Sequence, residues 1–305
     1  MVVISSQQPA AIIAAGDVLG EGPVWDAPAG RLLWTDIQSR RLRAFDPAGG
    51  VVETFAAPER IGSIALLPDE TGRVIAAFET GLGLFDLASG GVEWLHRVEA
   101  EANGRRFNDG RVDRSGRFWA GTMVEDEAIR HRAEASVWRL DHAGDFAPHF
   151  GGVQIANGLA FSPDGRTAYF SDSPLQTIFA FDLDEDGTLS NRRVFAEVTE
   201  GYPDGATVDA EGCLWSARWA AGTVVRHEPD GRVLETLRVP ASQPTCVAFG
   251  GEDLRTLYVT SARDELSEDE LVRQPHAGDV FAYDVTVPGL PEPRYTGAIR
   301  FASNV

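Results

Sequence analysis

A pattern that returns about every 45 residues constrains this chain more than any other feature. Each copy has a tight turn, most often with Gly and Asp, followed by an apolar strand. The copies are Asp26-Ala-Pro-Ala-Gly-Arg-Leu-Leu-Trp-Thr-Asp36, Asp69-Glu-Thr-Gly-Arg-Val-Ile-Ala-Ala77, Asp113-Arg-Ser-Gly-Arg-Phe-Trp-Ala-Gly121, Pro163-Asp-Gly-Arg-Thr-Ala-Tyr-Phe-Ser-Asp172, Asp209-Ala-Glu-Gly-Cys-Leu-Trp-Ser216 and Gly251-Glu-Asp-Leu-Arg-Thr-Leu-Tyr-Val259. Their turn positions, Gly30, Gly72, Gly116, Gly165, Gly212 and Leu254, are spaced by 42, 44, 49, 47 and 42 residues. A strand-like run precedes each turn, a second follows it, and a third alternates apolar residues before an acidic turn. A weaker fourth, such as Val51-Val-Glu-Thr-Phe55, follows in most copies. Turns of this composition suit hairpins. Four antiparallel strands per unit, six times over, predict an all-β, six-bladed β-propeller, because radial packing leaves few exposed sheet edges. A β-sandwich is the alternative, but it does not need the regular period.

The first five copies fit between Asp17 and Val239, and the last lacks a fourth strand. The strand-like segment Ala11 to Ala15 is therefore expected to complete that blade and close the ring. Residues 11–297 form one propeller domain on this reading, with 1–10 a disordered arm and 298–305 a tail. Helical periodicity is confined to Ser267-Glu-Asp-Glu-Leu-Val-Arg-Gln274, with Ser267 as N-cap and Glu270 three residues later.

Composition narrows the partners. A formal charge of −19 disfavours nucleic acid and anionic membrane surfaces. All 27 basic residues are Arg, which excludes Schiff-base lysine chemistry and a P-loop. Cys213 and Cys246 lie near strand-like runs as buried thiols rather than a disulfide framework. The stretch 1–16 has no basic n-region, and no apolar run reaches the roughly 20 residues of a membrane span, so a cytoplasmic protein, monomeric or weakly dimeric, is expected.

In a propeller the first strand of each blade lines the central channel, so equivalent positions form a ring. Eight or nine residues before each turn position stand Glu21, Ser63, Asn108, Asn157, Asp204 and Thr245. All six are polar on otherwise apolar strands. Singly, such residues cap turns. As a converging set of carboxylate and amide oxygens they suit one hard divalent cation. Ca²⁺ is favoured, with Mg²⁺, Mn²⁺, Zn²⁺ and Fe²⁺ as alternatives. Two loops after second strands are long, Thr122–Ser136 and Ser261–Asp279, and strand direction places both over the ring face. The former reads as a lid with Glu125 its candidate contact, or as a solvated acidic loop. No Gly-x-Ser-x-Gly elbow and no His-x-His or His-Glu-x-x-His spacing occurs.

The segments Leu19-Gly-Glu-Gly-Pro-Val-Trp25, Arg106-Phe-Asn-Asp-Gly-Arg-Val-Asp113, Gly121-Thr-Met123, Ile155-Ala-Asn-Gly-Leu159, Tyr202-Pro-Asp-Gly205 and Ala262-Arg263 resemble the SMP-30/gluconolactonase/regucalcin family. The resemblance runs over roughly residues 17 to 297. It implies a six-bladed propeller that hydrolyses sugar lactones with one divalent metal. It further implies Glu21, Asn157 and Asp204 as metal ligands, Asp204 also as the base, and Arg106 and Asn108 as substrate-orienting residues, with Glu125 an acidic contact from the lid. Ser63 and Thr245 are left as turn residues. Two rival readings are a noncatalytic, regulatory metal-binding propeller and a paraoxonase-like esterase, the latter expected to place a His near the metal.

Overall fold

The computed structural model describes residues 3–5, 7–68, 70–98 and 104–302. Six sheets radiate from a central channel, each running outward in chain order from its innermost strand. The innermost strands are Gly20–Asp26, Ile61–Leu67, Arg105–Val112, Ala156–Phe161, Tyr202–Val208 and Pro244–Gly250. The last blade takes its outer strand from Ala11–Ile13, which pairs antiparallel with Val280–Asp284, so the first strand after the arm closes the ring as expected.

Burial explains the sequence pattern. Inner strands are covered on both faces, and all seven residues of Gly20–Asp26 and of Ile61–Leu67 are buried. They are therefore continuously apolar or small instead of alternating. The outer strand Val51–Ala56 is half-exposed. The core consists of six layers, one at each blade–blade interface. Val24, Leu33 and Leu42 meet Ile64, Val74 and Phe78 between blades one and two, and Trp25 stacks on Tyr258 where blade six meets blade one.

The turns have a polar device that the sequence pattern does not separate from packing. Trp119 Nε1 and Trp215 Nε1 donate to the buried carboxylates of Asp113 and Asp209, each at 2.9 Å. Arg117 and Arg226 complete these clusters, and both carboxylates also accept backbone N–H groups across their hairpin turns. Blade one builds a third cluster from Asp17, Trp34 and Arg43. These tryptophans therefore pack and also donate. Replacing Asp113 by Ala should cost about 3–5 kcal/mol, because it leaves Arg117 buried without its carboxylate. Breaking the exposed Asp182–Arg193 pair the same way should leave the unfolding midpoint almost where it was, because solvent screens that pair. Urea midpoints of the two variants check the contrast, and equal shifts would refute it.

Leu254 occupies the turn position where four of the other copies have a left-handed Gly, and it takes the left-handed conformation itself, at φ 57°. Described residues at both chain ends bond to the blades. Val3–Ser5 pairs in parallel with the outer edge of blade five through residues 235–237. At the other end, residues 288–302 form a strap across the turn face. Its backbone bonds to Ala210, Leu66, Gly116, His142 and Trp94, which tie it to blades five, two and three. Free backbone groups on the turns favour such pairing over solvent. The strap also carries Glu292 to the foot of the channel, 2.9 Å from the buried guanidinium of Arg111.

Candidate functional site

Every inner strand changes register near its ring-face end, between Glu21 and Val24, Ile61 and Ser63, Phe107 and Gly110, Asn157 and Ala160, Pro203 and Ala206, and Pro244 and Val247. A bulge adds one residue to one strand of a pair and re-aims the side chain beside it. Here it recurs in all six blades at the ring position. Glycine serves it: Gly22 and Gly158 have φ near 60°. At Gly62 an added Cβ would lie 2.3 Å from the Asn108 carbonyl oxygen.

The bulges of blades one, three, four and five aim Glu21, Asn108, Asn157 and Asp204 into one cavity of about 570 Å³, which Arg106 and Glu125 also line. The six residues to which the family resemblance gives roles therefore line one cavity. Ser63 and Thr245 do not line it, and they lie inside strands rather than in turns. Thr245 Oγ1 turns into the wall of the ring, bonding Thr260 Oγ1 and the Gly20 carbonyl. The Ser63 hydroxyl is buried beside Gly110.

Glu21 and Asp204 are both buried and line this cavity together. Burial raises the proton affinity of both. The Asp109 charge adds to it at Glu21, and the Glu21 charge adds to it at Asp204. The amides are fixed by their neighbours. Asn108 Nδ2 donates to Asn157 Oδ1 at 2.8 Å, and Asn157 Nδ2 donates to Ser173 Oγ, also at 2.8 Å. Ser173 in turn donates to the Pro203 carbonyl beside Asp204. Arg106 Nη1 donates to Asn108 Oδ1 at 2.6 Å and its Nε to Glu125 Oε1 at 3.1 Å. Asn157 Oδ1 keeps a second lone pair. The Glu21 and Asp204 carboxylates and the Asn157 amide oxygen thus line one cavity, with no cluster of three or more His, Cys, Asp or Glu close enough to hold a metal ion among the described residues. That donor set is all oxygen, and it fits a hard divalent cation better than a thiolate- or imidazole-seeking one. No histidine lines the cavity.

The wall residues Gln38, Ser173, Trp219 and Asp264 were not singled out in the sequence. Each follows or ends the second strand of its blade. The inference that second strands return to the ring face, applied to all six blades and not only to the two long loops, finds them. Of those loops, Thr122–Ser136 contains the short helix Glu127–Arg130 and places Glu125 in the cavity wall. Ser261–Asp279 holds the capped helix Glu268–Arg273, with the Ser267–Glu270 box formed.

Comparisons with known proteins agree with this architecture. The family model described as SMP-30/Gluconolactonase/LRE-like region matches residues 19–263. A 6-deoxy-6-sulfogluconolactonase of Pseudomonas putida is 44% identical, over 94% of this chain and 98% of its own. An L-arabinolactonase of Azospirillum brasilense is 38% identical, over 93% and 94%. A crystal structure of a calcium-binding regucalcin from Agrobacterium tumefaciens superposes with a TM-score of 0.90 at 33% identity, over 97% of this chain and 99% of that one. With the family model spanning most of the propeller and relatives this similar along nearly their whole length, the chain belongs to the SMP-30/gluconolactonase/LRE-like family.

Proposed function

We propose that the protein hydrolyses a sugar lactone to the open-chain sugar acid with the help of one divalent cation held by Glu21, Asn157 and Asp204. The observation that carries this reading is that two buried carboxylates, Glu21 and Asp204, line one cavity, a charge arrangement that calls for a cation. The lactonase names of the two bacterial relatives supply the reaction class. Such an ion, Ca²⁺ by preference for oxygen donors, would act as a Lewis acid toward the lactone carbonyl.

The chain's own groups account for the rest. Asp204 orients a water against the carbonyl carbon or takes its proton. The water oxygen bonds to that carbon, and the ring C–O bond breaks. The departing ring oxygen ends as a hydroxyl and the carbonyl as a carboxylate. Arg106, Asn108 and Glu125 hold the sugar hydroxyls in a register fixed by their mutual hydrogen bonds. A paraoxonase-like site is disfavoured, since no histidine reaches this cavity among the described residues.

A panel of aldonolactones, followed by proton release before and after chelation, tests the proposal. Turnover should vanish with EDTA and return on adding Ca²⁺ or another divalent ion, and metal analysis should find about one ion per chain. Tight metal binding without turnover of any lactone would leave a noncatalytic, regulatory propeller instead.

A further inference from the structure

Blade two, like blade six, gives the cavity nothing from its ring position, where Ser63 stands. Its contribution comes one step earlier in the chain. Arg60 immediately precedes the inner strand Ile61–Leu67, and Glu79 immediately follows the second strand, so both stand at the ring-face end of the blade. The Glu79 amide donates to the Arg60 carbonyl at 2.9 Å, which closes this pair of strand ends. The side chains then form a fork. Arg60 Nε and Nη2 donate to the two carboxylate oxygens of Glu79, at 3.0 and 2.6 Å. Its Nη1 and Nη2 donate to Oε1 and Oε2 of Glu125, at 2.7 and 2.9 Å. Arg60 does not line the cavity, whereas Glu125 does.

We infer that Arg60 is a positioning residue for substrate binding: it clamps the blade-three loop to blade two and thereby fixes Glu125, and through Glu125 the guanidinium of Arg106, against the substrate. The inference rests on the lactonase reading and on the place of Glu125 in that cavity.

The geometry carries it in three ways. Glu125 stands where the long loop leaves the blade: the Val124 and Glu125 amides still bond the Gln154 and Gly104 carbonyls at 2.9 and 2.8 Å, and the Glu125 carbonyl accepts only from Arg130 of the same loop. Two bidentate contacts leave the guanidinium of Arg60 a single arrangement, which an ammonium cannot reproduce. The contacts continue inward without a break: Arg60 to Glu125, Glu125 to Arg106, Arg106 to Asn108, Asn108 to Asn157. The charges of Arg60 and Arg106 balance those of Glu79 and Glu125. Without Arg60, two carboxylates would compete for one guanidinium, and Arg106 would be drawn from its place over Asn108. Glu125 and Arg106 hold sugar hydroxyls away from the scissile bond, so their misplacement weakens ground state and transition state alike. Such a loss appears in KM more than in kcat.

The test combines kinetics with an exchange measurement on the metal-loaded full chain. Arg60→Met is expected to raise KM for the lactone about tenfold and leave kcat within about twofold. In an Glu125→Gln background the same change should move KM by less than about twofold, because the two residues act as one unit. Arg60→Lys should fall between, since one ammonium cannot span both carboxylates. Amide hydrogen exchange within 122–136 should run about tenfold faster in Arg60→Met, while the inner strands keep their protection. If Arg60→Met does not fold, as judged by its urea transition, Arg60→Lys supports both arms of the experiment. An unchanged KM, an undiminished effect in the Glu125→Gln background, or unchanged exchange in the loop would overturn the inference. A wild-type protein that turns over no lactone would defeat the proposed function separately, and the exchange result would still decide whether Arg60 clamps the loop.

Discussion

Replacing Asp204 by Ala is expected to reduce lactone turnover by at least about a thousandfold and to abolish tight binding of the divalent ion. The carboxylate is assigned two duties, donor to the cation and orienting or accepting group for water, and general-base removal alone is worth roughly 10²–10⁴ in rate. Isothermal titration with Ca²⁺ and proton-release kinetics measure the two losses. A variant with wild-type turnover would remove Asp204 from the mechanism. Stability should move the other way. Asp204 is buried, and burial and then the Glu21 charge make its ionisation costly. Asp204→Asn keeps the shape and removes the conflict, so in chelator at pH 8 this variant should need more urea to unfold than the wild type. A site that is stabilised by losing its function is one whose local arrangement serves the ligand rather than the fold.

How much of this was legible in the sequence follows from what repeats. The period revealed the blades, the direction of their strands and the residues at the channel end of each inner strand. Glu21, Asn157 and Asp204 were therefore visible as a set although 183 residues separate the first from the last. The bulge that aims them was not visible, because it shows only as a register shift between paired strands. For the same reason Ser63 and Thr245 shared a sequence position with the site residues and yet do not line the cavity. Arg60 had no repeated counterpart to draw attention to it, and its meeting with Glu125 depends on how neighbouring blades are set side by side. The chain ends escaped for a different reason. The strap 288–302 has no strand pattern of its own and is ordered by backbone bonds to turns far away in sequence. Leu254 likewise holds a glycine's conformation without a glycine's signature, and the period alone betrays it.

The metal-free protein should lose stability as pH rises from 6.5 to 8.5, and divalent metal should reverse the trend. Glu21 has its proton affinity pushed up to about 8, first by burial and then by the Asp109 charge, and Asp204 is raised in the same direction. In the unfolded chain both carboxyls titrate near their ordinary values of roughly 4. Between those limits the folded chain holds protons that the unfolded chain has released. With more protons bound in the native state, the slope of unfolding free energy with pH is negative, so stability is full below the unfolded values and is lost as pH rises through about 8. His227, pushed down to about 4 by burial and by Arg218, acts with the opposite sign, but most of its contribution is made below this window, as the unfolded imidazole loses its proton near its ordinary value of 6.5. A bound cation inverts the balance, because it requires the carboxylates ionised and binding must expel their protons. Its affinity, and with it the stabilisation gained by binding only the folded state, should grow up to about pH 8. Urea midpoints at pH 6.5 and 8.5, each in EDTA and in excess Ca²⁺, measure both effects. The EDTA midpoint should fall with pH and the gap between the EDTA and Ca²⁺ midpoints should widen. If the EDTA midpoint rose instead, Glu21 and Asp204 would be ionising freely in the folded protein, and the case that they call for a cation would fail with it.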